Sequence, residues 1–241
     1  MQFNLIEEEW IPAKRHDGSE TNIAPWQITE GFAENPFVAI NAPRPDFNGA
    51  LIQFLIGLVQ TLAPPATKME WKKHLLMPPT PDELRGKFSR VRHAFELGGV
   101  GPRFMQDYDK LEVEERSIDR LLIDMPGGQA REKNTDHFIK RDTMTSLCPS
   151  CGAIALYTMQ TNAPPGGVGF RVSVRGGGPL STLIAGDERH NTIWHLLWLN
   201  ILESDVFLRS CGNPSLTEEN NIFLRRHFPV GSCNGLISRL N

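Results

Sequence analysis

Hydrophobic positions along this chain fall into a few periodic runs, separated by turns rich in proline and glycine. The longest run covers residues 46–62, where Leu51, Leu55, Leu58 and Leu62 recur at helical spacing. Ile52, Phe54 and Val59 widen that stripe over most of the surface, which predicts a buried helix. Pro64-Pro65 stops it, because proline lacks an amide hydrogen and clashes with the preceding turn. A second helix is predicted from Thr80-Pro81-Asp82-Glu83. Thr80 suits the cap, Pro81 the first helical position, and Glu83 the reciprocal arm of a capping box. Leu84, Phe88, Val91 and Phe95 mark its inner face, and Gly98-Gly99 its end. A third helix is predicted over 112–124, ahead of Pro126-Gly127-Gly128. A fourth is predicted over 191–202, with Ile193, Leu196, Leu197, Trp198 and Ile201 apolar.

The remaining pattern is strand-like or irregular. Leu5, Ile6, Trp10 and Ile11 surround three glutamates, and Pro12 and the turn signal His16-Asp17-Gly18-Ser19 follow. This predicts an edge strand running into a hairpin with Asp17-Gly18 at its tip, and Trp10 as a core anchor. Residues 24–45 are proline-rich without a sustained period and read as irregular. From Pro126 to Thr143 the chain is polar, mixed in charge and without an apolar period, as expected of a long functional or mobile loop. The fold class expected from this mixture is α+β: an irregular domain with several buried helices and short antiparallel strands.

Composition narrows the functions available. The chain has 241 residues, enough for a substantial core, with 40% hydrophobic and 22% charged residues. Its 25 bases against 28 acids give a net charge of -3, so it is no general polyanion binder. A nucleic-acid contact would need a local patch or partner subunits. Four cysteines do not make a disulfide scaffold. The N-terminal MQFNLIEEEW lacks the basic start and apolar centre of a signal peptide, and residues 51–63 are too short for a membrane span. The expected location is the cytoplasm, with reduced thiols and no membrane partner.

One stretch departs from the average. Between Thr143 and Gly186 there is no Asp or Glu. Within it lie the glycines of Pro164-Pro165-Gly166-Gly167-Val168-Gly169, the bases Arg171 and Arg175, and Gly176 to Gly178. Exposed backbone amides and arginines without acids suit an anion, phosphate above all. The same residues also fit a glycine-rich hairpin with a purely structural task. Just upstream, His137, Phe138, Lys140 and Arg141 combine an aromatic with bases, the combination that single-stranded nucleic acid uses for stacking and charge. A solvated loop anchored by one phenylalanine is the plainer reading.

Cys148 and Cys151 form a Cys-x-x-Cys pair at the head of the acid-free stretch. Two thiolates at that spacing can bind one zinc ion as half of a site, with Cys211 and Cys233 as further candidates. The same spacing also serves as a redox dithiol. No HExxH array, nucleophile elbow or phosphate-binding GxxxxGK[ST] loop is present, and no complete active site is recognisable.

The set NLIEEEWIPA, LVQTLAPP, Pro102-Arg103-Phe104-Met105-Gln106, Cys148-x-x-Cys151 with AIALY, TNAPPGGVGF and VRGGGPLSTL resembles, in order and spacing, one known family. It is the large subunit of Cascade, the type I-E CRISPR surveillance complex (the CasA family). The resemblance runs over residues 2–205. It implies a non-catalytic DNA-recognition subunit in antiviral defence, which reads the protospacer-adjacent motif from the minor groove and helps open the target duplex. Partners implied are the other Cascade subunits, crRNA, target double-stranded DNA, and a helicase-nuclease or other effector nuclease. A glycine loop suits this task, because a backbone without side chains can approach a groove that distinguishes base pairs poorly.

The family's glycine loop falls on residues 165–169, which implies DNA contact by Gly166, Gly167 and Gly169 and phosphate contact by Arg171 and Arg175. The family's loop near the guide's end falls on residues 127–142, which implies RNA contact by His137, Phe138, Lys140 and Arg141. The Cys148 and Cys151 pair matches half of a zinc site found in some members. The chain falls well short of the family's usual length, and the parts that wedge the duplex and dock on the small subunits have no counterpart in it. Its expected division is an N-terminal-type domain, 1–207, and a divergent tail, 208–241. The alternatives are a zinc- or dithiol-dependent stand-alone domain, either oxidoreductase or metal-binding, and a structural scaffold.

Overall fold

The computed structural model describes residues 2–107, 117–140, 144–163, 173–174 and 182–210. Asp17 and Gly18 make the expected turn. Gly18 has φ 88°, the left-handed region that glycine occupies without strain. The Asp17 carboxylate accepts from the Ser19 amide at 2.9 Å and from Asn35 Nδ2 at 2.8 Å. Strands β1 (Ile11–Arg15) and β2 (Glu20–Ile23) leave this turn antiparallel, with Ile11 opposite Ile23 and Lys14 opposite Glu20.

A third strand, β3 (Phe37–Ile40), pairs with the other side of β1, so the sheet order is β2-β1-β3. The strand expected at an edge is therefore the central one, and it begins only at Ile11. Its partner β3 comes from the stretch read as irregular, since four residues are too few to establish a period. Ahead of β1, Leu5 and Ile6 are buried in a turn, and Trp10 is buried directly before the strand. The Leu5 amide donates to Phe95 O at 2.9 Å, and the Trp10 indole donates to Leu5 O at 2.8 Å.

Helix α1 (Pro45–Leu62) lies at the centre. Phe47, Leu51, Phe54, Leu55, Leu58 and Val59 are all buried, as its wide stripe requires. Phe54 is the hub of an aromatic cluster: its ring lies 5.4 Å from Trp10 and Tyr157 and 6.1 Å from Phe95 and Phe104, each edge-on. Edge-to-face geometry places the positive ring edge on the negative face of the neighbour.

Helix α2 (Lys68–Leu76) has no buried residue of its own. Thr67 caps it, accepting from the Glu70 amide at 3.2 Å, while Glu70 accepts from the Ala66 amide at 2.7 Å. The Thr80 box is complete: Thr80 Oγ1 accepts from the Glu83 amide at 3.3 Å, and Glu83 accepts from the Thr80 amide at 2.7 Å. Helix α3 (Pro81–Phe88) follows and tightens into a 3-10 turn over Ser89–Ala94 before the glycines.

Residues 108–116 of the third expected helix lie outside the described residues. Its described end holds a 3-10 turn, Ile118–Leu121, in place of a regular α-helix. A short helix α4 (Gly128–Glu132) opens the polar loop.

The apolar run after the cysteines is helix α5 (Pro149–Asn162), packed along α1. Thr158 and Thr161 are buried in it because their hydroxyls donate back to Ile154 O and Tyr157 O, both at 2.7 Å. Helix α6 (Ile193–Trp198) is capped by Thr192 and is shorter than the 191–202 expected. Helix α7 (Ser204–Ser210) ends the described chain.

Three tryptophans connect α2 with α6 and the turn that follows it. Trp194 Nε1 donates to His74 O and Trp198 Nε1 to Trp71 O, both at 2.8 Å; Trp71 Nε1 donates to Ile201 O at 2.9 Å. The His74 carbonyl would otherwise face position 78, where Pro78 has no amide to give. Nearby, the buried Gln60 side chain pairs with Leu202 through both of its polar atoms, at 3.0 and 2.7 Å. The molecule is thus α+β, a small antiparallel sheet at one side of a helical core. No helix among the described residues is long and apolar enough to cross a membrane.

Candidate nucleic-acid interface

Helix α5 positions the candidate interface. Its C-cap residue, Ala163, leads into the glycine-rich segment. Beyond that segment the chain returns to the same helix, where the Val174 amide donates to Gln160 O at 2.8 Å. Departure and return are thus anchored on the last turn of a helix that Tyr157 ties into the aromatic cluster. Gly166, Gly167, Gly169, Arg171 and Arg175 lie outside the described residues.

Of the second group, His137, Phe138 and Lys140 are described and all three are exposed, while Arg141 lies outside the described residues. Phe138 is 100% exposed. It therefore packs on nothing among the described residues, where the plainer expectation had it anchoring the loop. The loop is shaped instead by short local bonds, such as Ile139 N to Asp136 O at 3.1 Å. A fully exposed aromatic beside a histidine and a lysine presents a stacking face next to positive charge.

Cys148 and Cys151 share the first turn of α5. Cys148 is the N-cap, and its Sγ accepts from the Cys151 amide at 3.3 Å. Cys148 is exposed and Cys151 half-buried. The Cys151 thiol is pushed up to about 11, first by burial and then by its hydrogen bond to the Cys148 thiol. Among the described residues no cluster of three His, Cys, Asp or Glu side chains exists that would hold a metal. A zinc centre needs donors beyond these two thiols, and the further candidates, Cys211 and Cys233, lie outside the described residues.

Sequence reasoning missed several polar groups on the core side of this region. Asp119 is 0% exposed, and neither of its carboxylate oxygens has a hydrogen-bond partner among the described residues. Its 3-10 turn packs on α5, whose Gln160 Nε2 is likewise buried without a partner among the described residues. His195 is buried in α6, with Nδ1 2.8 Å from Thr192 Oγ1, and burial lowers its pKa from the usual value. No spacing pattern marks Asp119 or His195. Thr192, three residues before His195, is the one local signal.

The sequence matches the family model of CRISPR-associated protein Cse1 over residues 4–230. The chain belongs to the Cse1 family. The match spans the aromatic cluster, α5 with its cysteine pair and the glycine-rich segment, and it reaches into the tail.

The fold agrees with solved Cse1 structures. Cse1 from Acidimicrobium ferrooxidans superposes with a TM-score of 0.61 at 20% identity, over 84% of this chain and 38% of that one. CasA (Cse1) of Thermus thermophilus gives 0.58 at 19% identity, over 83% and 39%. Cse1 of Thermobifida fusca gives 0.55 at 20% identity, over 68% and 31%. The chain therefore spans less than half the length of these solved Cse1 chains.

Proposed function

We propose that this chain is a non-catalytic DNA-recognition subunit of a crRNA-guided type I-E Cascade complex in antiviral defence. In this reading Gly166, Gly167 and Gly169 approach the minor groove at the protospacer-adjacent motif, while Arg171 and Arg175 hold the flanking phosphates. His137, Phe138, Lys140 and Arg141 meet the guide RNA, with Phe138 as the stacking face. The observation that carries the reading is the Cse1 family match over residues 4–230.

The physics is consistent with that division of labour. A protein with net charge -3 does not hold DNA by bulk attraction, so a local acid-free segment and neighbouring subunits must supply the binding field. Guide pairing reads most of the target, which leaves the protein a short duplex element to inspect. Helping the duplex to open belongs to the same proposal and depends on subunits beyond this chain, as does recruitment of a nuclease.

The test reconstitutes the complex with crRNA and the other Cascade subunits and measures binding to a target duplex. A triple variant, Gly166→Leu, Gly167→Leu and Gly169→Leu, is expected to lose about tenfold or more in affinity for duplex carrying the motif. Its circular dichroism and unfolding midpoint are expected to match the unsubstituted chain. Unchanged duplex affinity in a folded triple variant refutes the reading. A steep fall of binding with salt supports phosphate contact, whereas salt-independent binding would favour a scaffold that docks on protein.

A further inference from the structure

A single side chain, Asn200, holds the far end of the acid-free stretch. It lies in the turn after α6. Its Oδ1 accepts from the Ile184 amide at 2.9 Å, and its Nδ2 donates back to Ile184 O at 2.9 Å. The same Nδ2 donates to Leu196 O at 2.7 Å. One amide donor and two carbonyl acceptors leave the carboxamide a single orientation.

The segment that Asn200 holds is not fixed by burial. Residues 182–189 are all exposed, Leu183 at 41% and Ile184 at 60%. The loop beyond them is shaped by its own bonds: Asp187 accepts from the Arg189 amide at 3.1 Å and meets His190 Nδ1 at 2.8 Å. The His190 ring, edge-on to His195 at 5.0 Å, is the next attachment down the chain. Asn200 itself has a rigid base, because Trp194 and Trp198 of α6 are fully buried and bonded to α2. Upstream, the Val174 amide is tied to Gln160 O of α5. Residues 175–183 therefore run between two fixed points, one on α5 and one at the end of α6. Chain connectivity alone puts Arg175 and the second glycine run, Gly176 to Gly178, in that span.

We infer that Asn200 is a positioning residue for the DNA contact: by clamping both main-chain groups of Ile184 to the end of α6, it fixes where Arg175 meets the phosphate backbone. The inference rests on the proposed reading of DNA. Asn200 touches no nucleic acid and acts through Arg175. A span fixed at both ends has less freedom to lose on binding than one fixed at a single end, so the clamp raises affinity by preorganisation. It does not alter which sequence is read, because phosphate contacts carry no sequence information.

The experiment compares Asn200→Ala, Arg175→Ala and the double variant in the full chain. In the free protein, Asn200→Ala is expected to speed hydrogen exchange at the Ile184 amide about tenfold or more, while exchange within α6 is unchanged. In the reconstituted complex it is expected to weaken duplex binding about threefold to tenfold, equally with and without the motif. The slope of log affinity against log salt is expected to fall by about 0.9, the share of one phosphate. The double variant is expected to bind no worse than Arg175→Ala alone. Asn200→Asp keeps the acceptor for the Ile184 amide and removes the donor. It is expected to weaken binding in the same direction, and it replaces the alanine variant if that one frays α6.

Losses that add in the double variant would overturn the inference. So would an Ile184 amide whose exchange does not change, or full duplex affinity in Asn200→Ala when Arg175→Ala binds weakly. If Arg175→Ala and the glycine triple variant both bind as the unsubstituted chain does, the reading of DNA fails, and the clamp falls with it. Circular dichroism of each variant separates loss of the clamp from loss of fold.

Discussion

Replacing Phe54 with alanine removes the ring on which four other aromatic residues converge. Phe54 is 0% exposed, and Trp10, Phe95, Phe104 and Tyr157 all lie edge-on to it. Burial of a phenylalanine ring with its cavity term places the loss at about 3–5 kcal/mol. The upper part of that range applies, because the four neighbours come from separate segments and cannot all move into the void. Phe54→Leu keeps most of the volume but loses the edge-to-face contacts, and is expected to cost about 1–2 kcal/mol. Urea unfolding followed by tryptophan emission and by far-ultraviolet circular dichroism measures both variants. The expected result is a large drop in midpoint for alanine and a smaller one for leucine, with the slope unchanged. A loss below about 1 kcal/mol for Phe54→Ala would refute the idea that this ring holds the core together. Three of the ring's neighbours, Trp10, Phe104 and Tyr157, also lie within the residues matched by the Cse1 family model.

Further outcomes are expected. Phe138→Ala should leave the unfolding free energy within about 0.5 kcal/mol of the unsubstituted chain, because the ring packs on nothing among the described residues. In the reconstituted complex it should weaken guide association by about 1–3 kcal/mol, read by filter binding. Thr80→Ala should lower stability by about 1 kcal/mol in thermal denaturation, through loss of the α3 cap. Gln60→Leu should cost about 1–3 kcal/mol and speed hydrogen exchange at the Leu202 amide, which loses its acceptor. The lowered pKa of His195 means that the unfolded chain binds its proton more readily. Stability from this group is therefore complete above the usual histidine pKa near 6.5 and is lost as pH falls through the folded value. Stability measured between pH 7.5 and pH 5 is expected to fall less steeply in His195→Gln.

The sequence exposes some of this fold and conceals the rest for physical reasons. The α1 stripe, the Asp17-Gly18 turn and the Thr80 capping box are local signals, and each element stands where its signal lies. Helix α2 was not foreseen, since its apolar residues do not form a stripe; its attachment comes from indole donors that no periodicity displays. Strand β3 is a four-residue segment whose identity depends on pairing with β1, a non-local fact. The cysteine pair announced itself by spacing, yet only the structure distinguishes an exposed sulfur at the cap from a half-buried one behind it. Asp119 illustrates the opposite limit, a buried carboxylate in a charged stretch where nothing local signals burial. Of the candidate interface, sequence identified the exposed aromatic of the polar loop, and the fold added that α5 anchors both ends of the glycine-rich segment.

The three indole bonds between α2 and residues 194–201 also limit how this region can vary. Phenylalanine at Trp71, Trp194 or Trp198 would preserve bulk and greasiness while deleting the tether to a main-chain oxygen. Natural drift at those positions should consequently be narrower than their hydrophobicity alone would permit. The same arrangement makes the emission colour of these tryptophans a direct gauge of whether the two helices have parted.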